Sequence, residues 1–345
     1  MAPDLVDITD DSPEAVLALY ESRGWGDGLP MVPPTEARVE AMLDALGDVH
    51  PDEVIATLPP RFGEATRRVI AVNAVLAGCP PACMPVLVSA VRALARPELN
   101  LRGVNATTHP VAPLLIVSGE IAEQAGYNSG LGAFGPGNRA NATTGRALRL
   151  LLMHVAGAVP GPGDASTQGG PAKYAYCVAE NVAATPWESY PASVGVAGPS
   201  SVTVHCGEAP HNFHDMESDD PARILEKCAS AMASLAQNNV VISQGEYFVA
   251  LGPEHAATIA AAGWGRRDVS SFLFERARLP AGEVRANFDS TAWAPWMHAV
   301  PDNELLPMTS HADNIKVFVC GGAGKHSSVI PSWGMTKSVT VEVAP

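Results

Sequence analysis

The sequence predicts an α/β protein with mixed sheets flanked by helices, arranged as two subdomains. Three observations lead there. Short apolar runs bounded by Gly and Pro alternate along the chain with longer segments of helical character. Of the 345 residues 47% are hydrophobic and only 17% charged, so the chain can bury one large core or two. The 31 Gly and 30 Pro suit a compact, loop-rich protein better than a coiled coil or a disordered chain.

Ser12 at an N-cap and Pro13 at the first helical position open a helix over 12–22. Gly and Pro punctuate 24–35 throughout, which makes it loop, and Thr35 caps a second helix over 36–46. Further helices are predicted over 63–77, ending at Gly78, and over 84–94. Residues 111–118 read as a buried strand. Asn141 or Thr143 caps a long apolar helix reaching Ala156, interrupted by Arg149 and His154 and expected near the centre of the fold. Pro, Ser and Gly crowd 185–200, dividing the chain into an N-terminal α/β domain, 1–190, and a C-terminal α/β domain, 200–345. Beyond that boundary 201–206, 247–251 and 314–320 read as strands. A helix over 221–237 is capped by Asp219 or Asp220, and another runs from Pro253 to Gly263.

A formal net charge of −14 with no Lys/Arg run repels phosphate backbones, which argues against nucleic acid as a partner. An anionic substrate must then be held by local donors. No stretch approaches the ~18–20 apolar residues that span a bilayer, so no membrane partner is expected. The acidic N-terminus lacks the features of a signal peptide, and six cysteines form no dense disulfide framework. The expected location is cytoplasmic.

Five stretches can carry chemistry. Gly130, Gly132 and Gly135 spell G-x-G-x-x-G, but no strand directly precedes them, Pro136 intervenes and no acidic residue lies near 155; dinucleotide binding is not predicted. The loop nonetheless feeds a helix start, where Asn128, Arg139 and Asn141 suit anion binding or a tight structural cap equally. In His205-Cys-Gly-Glu-Ala-Pro-His-Asn-Phe-His-Asp215, the residues His205, His211 and His214 are metal-ligand types without a fixed ligand spacing. They suit a divalent metal, one acid/base histidine, or surface positions. Cys320-Gly-Gly-Ala-Gly-Lys-His-Ser-Ser328 fails as a phosphate loop, because His326 follows the lysine and Val319 stands at the early glycine. Following a strand, it still offers Lys325, His326 and Ser327 to a crevice. His109, in a Thr-Thr-His-Pro turn before a strand, is an acid/base candidate or a hydrogen-bonded core histidine. Lys173, Cys177 and Glu180 share one face if their segment is helical, lining a pocket or forming a surface ion pair. Cys79, four residues before Cys83 at a helix start, is a candidate nucleophile or a buried small hydrophobe.

Several stretches together resemble a bacterial family associated with UGSC-type (seleno)proteins. They are Asp27-Gly-Leu-Pro-Met-Val-Pro-Pro-Thr35, Ala77-Gly-Cys-Pro80, Ala106-Thr-Thr-His-Pro-Val-Ala-Pro-Leu114 and Gly135-Pro-Gly-Asn-Arg-Ala-Asn-Ala-Thr143. Leu251-Gly-Pro-Glu-His-Ala256 and Gly263-Trp-Gly265 extend the likeness over most of the chain, although the UGSC motif itself does not occur. The resemblance implies a thiol- or selenol-linked transformation of a small molecule, with a thiol or selenol protein as partner.

The leading expectation is a thiol-assisted lyase or hydrolase that cleaves or hydrates a bond in a small anionic molecule. Arg139, Asn141, Asn128, Lys173 and Ser327 bind the substrate; His109, His326, Lys325 and Cys79 carry the chemistry. The alternatives are a hydrolase or lyase using a divalent metal on His205, His211 and His214, and a non-catalytic small-molecule-binding or sulfur-carrier protein. The Gly130–Gly137 loop, His109 and the 325–328 turn are expected to meet at one pocket.

Overall fold

The computed structural model describes residues 6, 8–241, 245–288 and 293–344; residues 1–5 of the acidic N-terminal stretch lie outside these. The helical N-terminal region follows its capping signals. Ser12 accepts the N–H of Ala15 at the start of the Pro13–Arg23 helix, and Glu36–Asp44 follows Thr35. The third helix is shorter than the sequence suggests. Thr66 caps it by accepting the Val69 N–H, so it spans Arg67–Ala77, and Gly63–Thr66 is instead a strand, β2, paired with β1 (Val54–Leu58). Met84–Leu94 is helical as expected. The central helix spans Arg139–Leu151 and continues as a π turn, Leu152–Ala156. Its cap is Asn138 rather than Asn141 or Thr143. Pro221–Met232, capped by Asp220, stops short of the expected end because Ala233 leaves the helical conformation.

Two four-stranded mixed sheets form the centre. The first has the order β12-β5-β3-β4 and the second β10-β7-β11-β6. The strands are β3 (Ala112–Gly119), β4 (Cys177–Ala179), β5 (Ser200–Gly207), β6 (His211–His214), β7 (Tyr247–Leu251), β10 (Ile315–Val319), β11 (His326–Pro331) and β12 (Val339–Glu342). A separate hairpin joins β8 (Arg278–Pro280) to β9 (Leu305–Pro307).

The strands are apolar on both faces because both faces are covered. Along β3, Leu115 and Val117 pack on the helices Arg67–Ala77, Met84–Leu94 and Arg139–Leu151. Leu114 and Ile116 point the other way, onto Phe248, Ala250, Phe318 and Ile330 of the second sheet. In β7, Tyr247, Val249 and Leu251 face the helices Pro221–Met232, Pro253–Ala261 and Arg266–Arg276. The order of layers is helices, sheet, sheet, helices.

The sheets are joined by one ribbon. β5 runs on into β6, and β11 into β12, with Val204 opposite Val339, Gly207 opposite Ser332 and His211 opposite Val329. Each long strand thus begins in one sheet and ends in the other. A Cβ at Gly207 would lie 2.7 Å from His205 Nε2 and from Ile330, so the crossing point requires glycine. Both sheets share one pattern, a parallel pair (β3 with β4, β7 with β10) followed by two antiparallel neighbours. The stretch 185–200 is therefore no boundary between separate sheets, since β5 and β12 complete the sheet begun by β3. Among the described residues no helix is long and apolar enough to cross a membrane.

Candidate functional site

β3 and β4 start, and antiparallel β5 ends, at the same edge of the first sheet. That topology brings together His109, three residues before β3, Lys173, four before β4, and Glu208, one after β5. His109 Nε2 lies 2.9 Å from Glu208 Oε1. Glu208 is itself fixed: its N–H donates to the Pro331 carbonyl at 2.8 Å, and its own carbonyl accepts the Tyr176 hydroxyl at 2.8 Å. The His109 turn is closed by its N–H on Thr107 Oγ1. An ionised carboxylate only accepts, so in the neutral imidazole Glu208 favours the tautomer with the proton on Nε2 and the lone pair on Nδ1. That Nδ1 is buried and, among the described residues, has no hydrogen-bond partner.

The Thr108 carbonyl accepts the N–H of Thr167, which ties this turn to the segment carrying Asp164 and Lys173. Lys173 Nζ donates to both oxygens of Asp164, at 2.9 and 2.8 Å, and Arg149 Nη2 donates to Oδ2 at 3.0 Å. The three side chains are only 12%, 4% and 13% exposed for Lys173, Asp164 and Arg149. Burial pulls both cations below their ordinary pKa, against the opposing pull of Asp164. Arg149 and Lys173 line a small pocket with Asn105, Val111, Pro113 and Leu148. Arg149 reaches it because Gly145, one turn earlier on the same helix, lets the helix close on β4: a Cβ there would stand 2.3 Å from the Tyr176 nitrogen. Arg146 does not join the site. It is bidentate to Asp27, at 2.7 and 2.8 Å, and clamps the 27–30 loop.

The remaining predicted residues lie elsewhere. Asn128 and Asn141 close the Gly-rich loop on itself: Asn141 Oδ1 accepts the Asn128 N–H, and its amide donates to the carbonyls of Asn128 and Ala133. Arg139 donates Nε to the Gly78 carbonyl. The loop does meet the second Gly-rich turn, with the Gly321 N–H on the Ser129 carbonyl at 2.8 Å. Both sit at the end of β4 and β10, the opposite end of the strands from His109, and the contact is made by Gly321 rather than by the 325–328 segment. Ser327 Oγ accepts the Gly252 N–H and touches His255 Nδ1 at 2.8 Å, and this buried network holds the hydroxyl inside the fold. His326 is exposed on Asn212 beside Lys325.

The three metal-type histidines are not gathered. His205 is buried between the sheets, its ring 4.3 Å from Phe248, and desolvation pushes its pKa down to about 3. His211 and His214 are exposed on β6, with His214 5.6 Å from the His326 ring. Among the described residues no group of three His, Cys, Asp or Glu can hold a metal ion. Cys79 is 2% exposed and burial pushes its thiol up to about 12, so at neutral pH it is a protonated core residue. The segment 173–180 is not one helix but a short turn followed by β4, and Cys177 faces the helical core.

Sequence reasoning singled out His109 and Lys173 but missed Arg149 and Asp164. The signal for Arg149 was a lone cation in an apolar helix; Asp164, in a Gly-Pro-Gly-Asp turn, carried none. No family model matches the chain, and neither a search of curated proteins nor one of solved structures finds a match.

Proposed function

We propose that the protein is an enzyme acting on a small anionic organic molecule, with His109 as its acid–base group and Lys173 and Arg149 as its anchor for the anion. The observation that carries this reading is the unpartnered, buried Nδ1 of His109, held as a base by Glu208. A desolvated lone pair of this kind takes a proton from a carbon beside the anion or from a water that adds to it. Either step fits a lyase or a hydrolase. The six cysteines are free and buried, so the chemistry is assigned to the imidazole and not to a thiol.

The test is a turnover screen of small organic acids followed by NMR. A substrate consumed by wild type should be turned over about 10²–10⁴-fold more slowly by His109→Gln, the usual contribution of a general base. Glu208→Gln should cost less, since it leaves the imidazole in place and removes only the acceptor that selects its tautomer. Undiminished turnover by a folded His109→Gln protein would overturn the assignment. Ligand binding with no turnover in wild type would make the protein a binder.

A further inference from the structure

Resting on that reading of the site, we infer that the group recognised between Arg149 and Lys173 is a single carboxylate. Among the described residues Asp164 is the one carboxylate that hydrogen-bonds to Arg149 and Lys173; Asp27 acts on Arg149 from a distance, and Glu208, at the same end of the sheet, is taken up by His109. Asp27 is already neutralised by its bidentate pair with Arg146. The cluster therefore keeps one positive charge in excess, in a place largely removed from water. An uncompensated buried charge is costly, and one monoanion balances it. A phosphate dianion would reverse the imbalance rather than remove it.

The donors agree with the charge. Lys173 gives two N–H groups to Asp164 and has a third to offer; Arg149 gives Nη2 to Asp164, and among the described residues its Nη1 and Nε make no protein hydrogen bond. A carboxylate has two oxygens for two cationic neighbours. Asn105 apart, the rest of the pocket wall is apolar, with Val111, Pro113 and Leu148.

The experiment compares sodium acetate and propionate with phosphate, sulfate and chloride at matched ionic strength, read by thermal shift and by line broadening of ¹³C-labelled acetate. Saturable binding of acetate and propionate is expected, with phosphate, sulfate and chloride at least tenfold weaker. In Lys173→Met the neutral Arg149–Asp164 pair remains, so the protein should fold and its acetate affinity should fall at least tenfold. Equal binding of phosphate, sulfate or chloride by wild type, or unchanged acetate binding by folded Lys173→Met, overturns the inference. Should that variant not fold, the wild-type anion ranking decides alone. His109→Gln separates this from the acid–base assignment: it should bind acetate as wild type does while losing turnover.

Discussion

Two cations sharing one carboxylate behind an apolar wall is a costly arrangement unless a ligand supplies the missing charge. The sequence points to Lys173 through its spacing to Cys177 and Glu180 on an expected helix, although the segment is a short turn before β4. Arg149 and Asp164 could not be reached in this way, because their partnership spans 15 residues of chain and is made by the packing of a helix on β4. His205 shows the opposite failure. Its neighbours in sequence suggest a metal ligand, yet the strand alternation turns it into the layer between the sheets, where an ion could not follow. Its burial has a consequence for stability. The unfolded chain protonates this imidazole below its ordinary pKa of 6.5, whereas the folded protein resists until about 3. The stabilisation is therefore complete above pH 6.5 and is lost as pH falls toward 3, on the order of 5 kcal/mol in all. Urea midpoints measured from pH 7 to pH 4 should fall less steeply in His205→Leu than in wild type. Some of the slope should persist, since burial also lowers the pKa of His154 and His255. Identical slopes would assign the acid sensitivity to other groups.

At the scale of elements, most boundaries were legible wherever a cap or an apolar run set them. Pro13–Arg23, Met84–Leu94, β3 and β7 all follow from local signals. Among the strands that escaped, β6 and β11 are short and rich in His and Ser, and the pairing of these two and of β12 is decided by distant partners. The same is true of β2, whose residues read as the start of a helix until Thr66 is seen to cap it. The central helix depends on one contact that no pattern shows, the approach of Gly145 to Tyr176. Gly145→Ala should lower stability by about 1–3 kcal/mol, the usual cost of overpacking, and should weaken anion binding by moving Arg149. Denaturant unfolding and acetate titration of the same variant check both; wild-type values in each would show that the helix shifts without cost.

For the whole molecule, the sequence led to two subdomains meeting near residue 190, and strands from both sides of that point share one sheet. A fragment of residues 1–190 contains β3 and β4 but lacks β5 and β12, half of its own sheet. It should show no cooperative unfolding transition and weak near-ultraviolet circular dichroism, and co-expression with 191–345 should restore both. A fragment that unfolds cooperatively alone would return the boundary to where the sequence put it.

The ribbon also has a consequence in time. A ribosome delivers β5 well before β12, with the whole second sheet made in between, so throughout that interval β5 presents a bare edge of backbone donors and acceptors. The strand that closes this edge in the finished protein can equally be donated by a neighbouring copy, because the two contacts are chemically the same. The yield of correctly closed protein then depends on how fast β12 follows β5 relative to how often nascent chains meet.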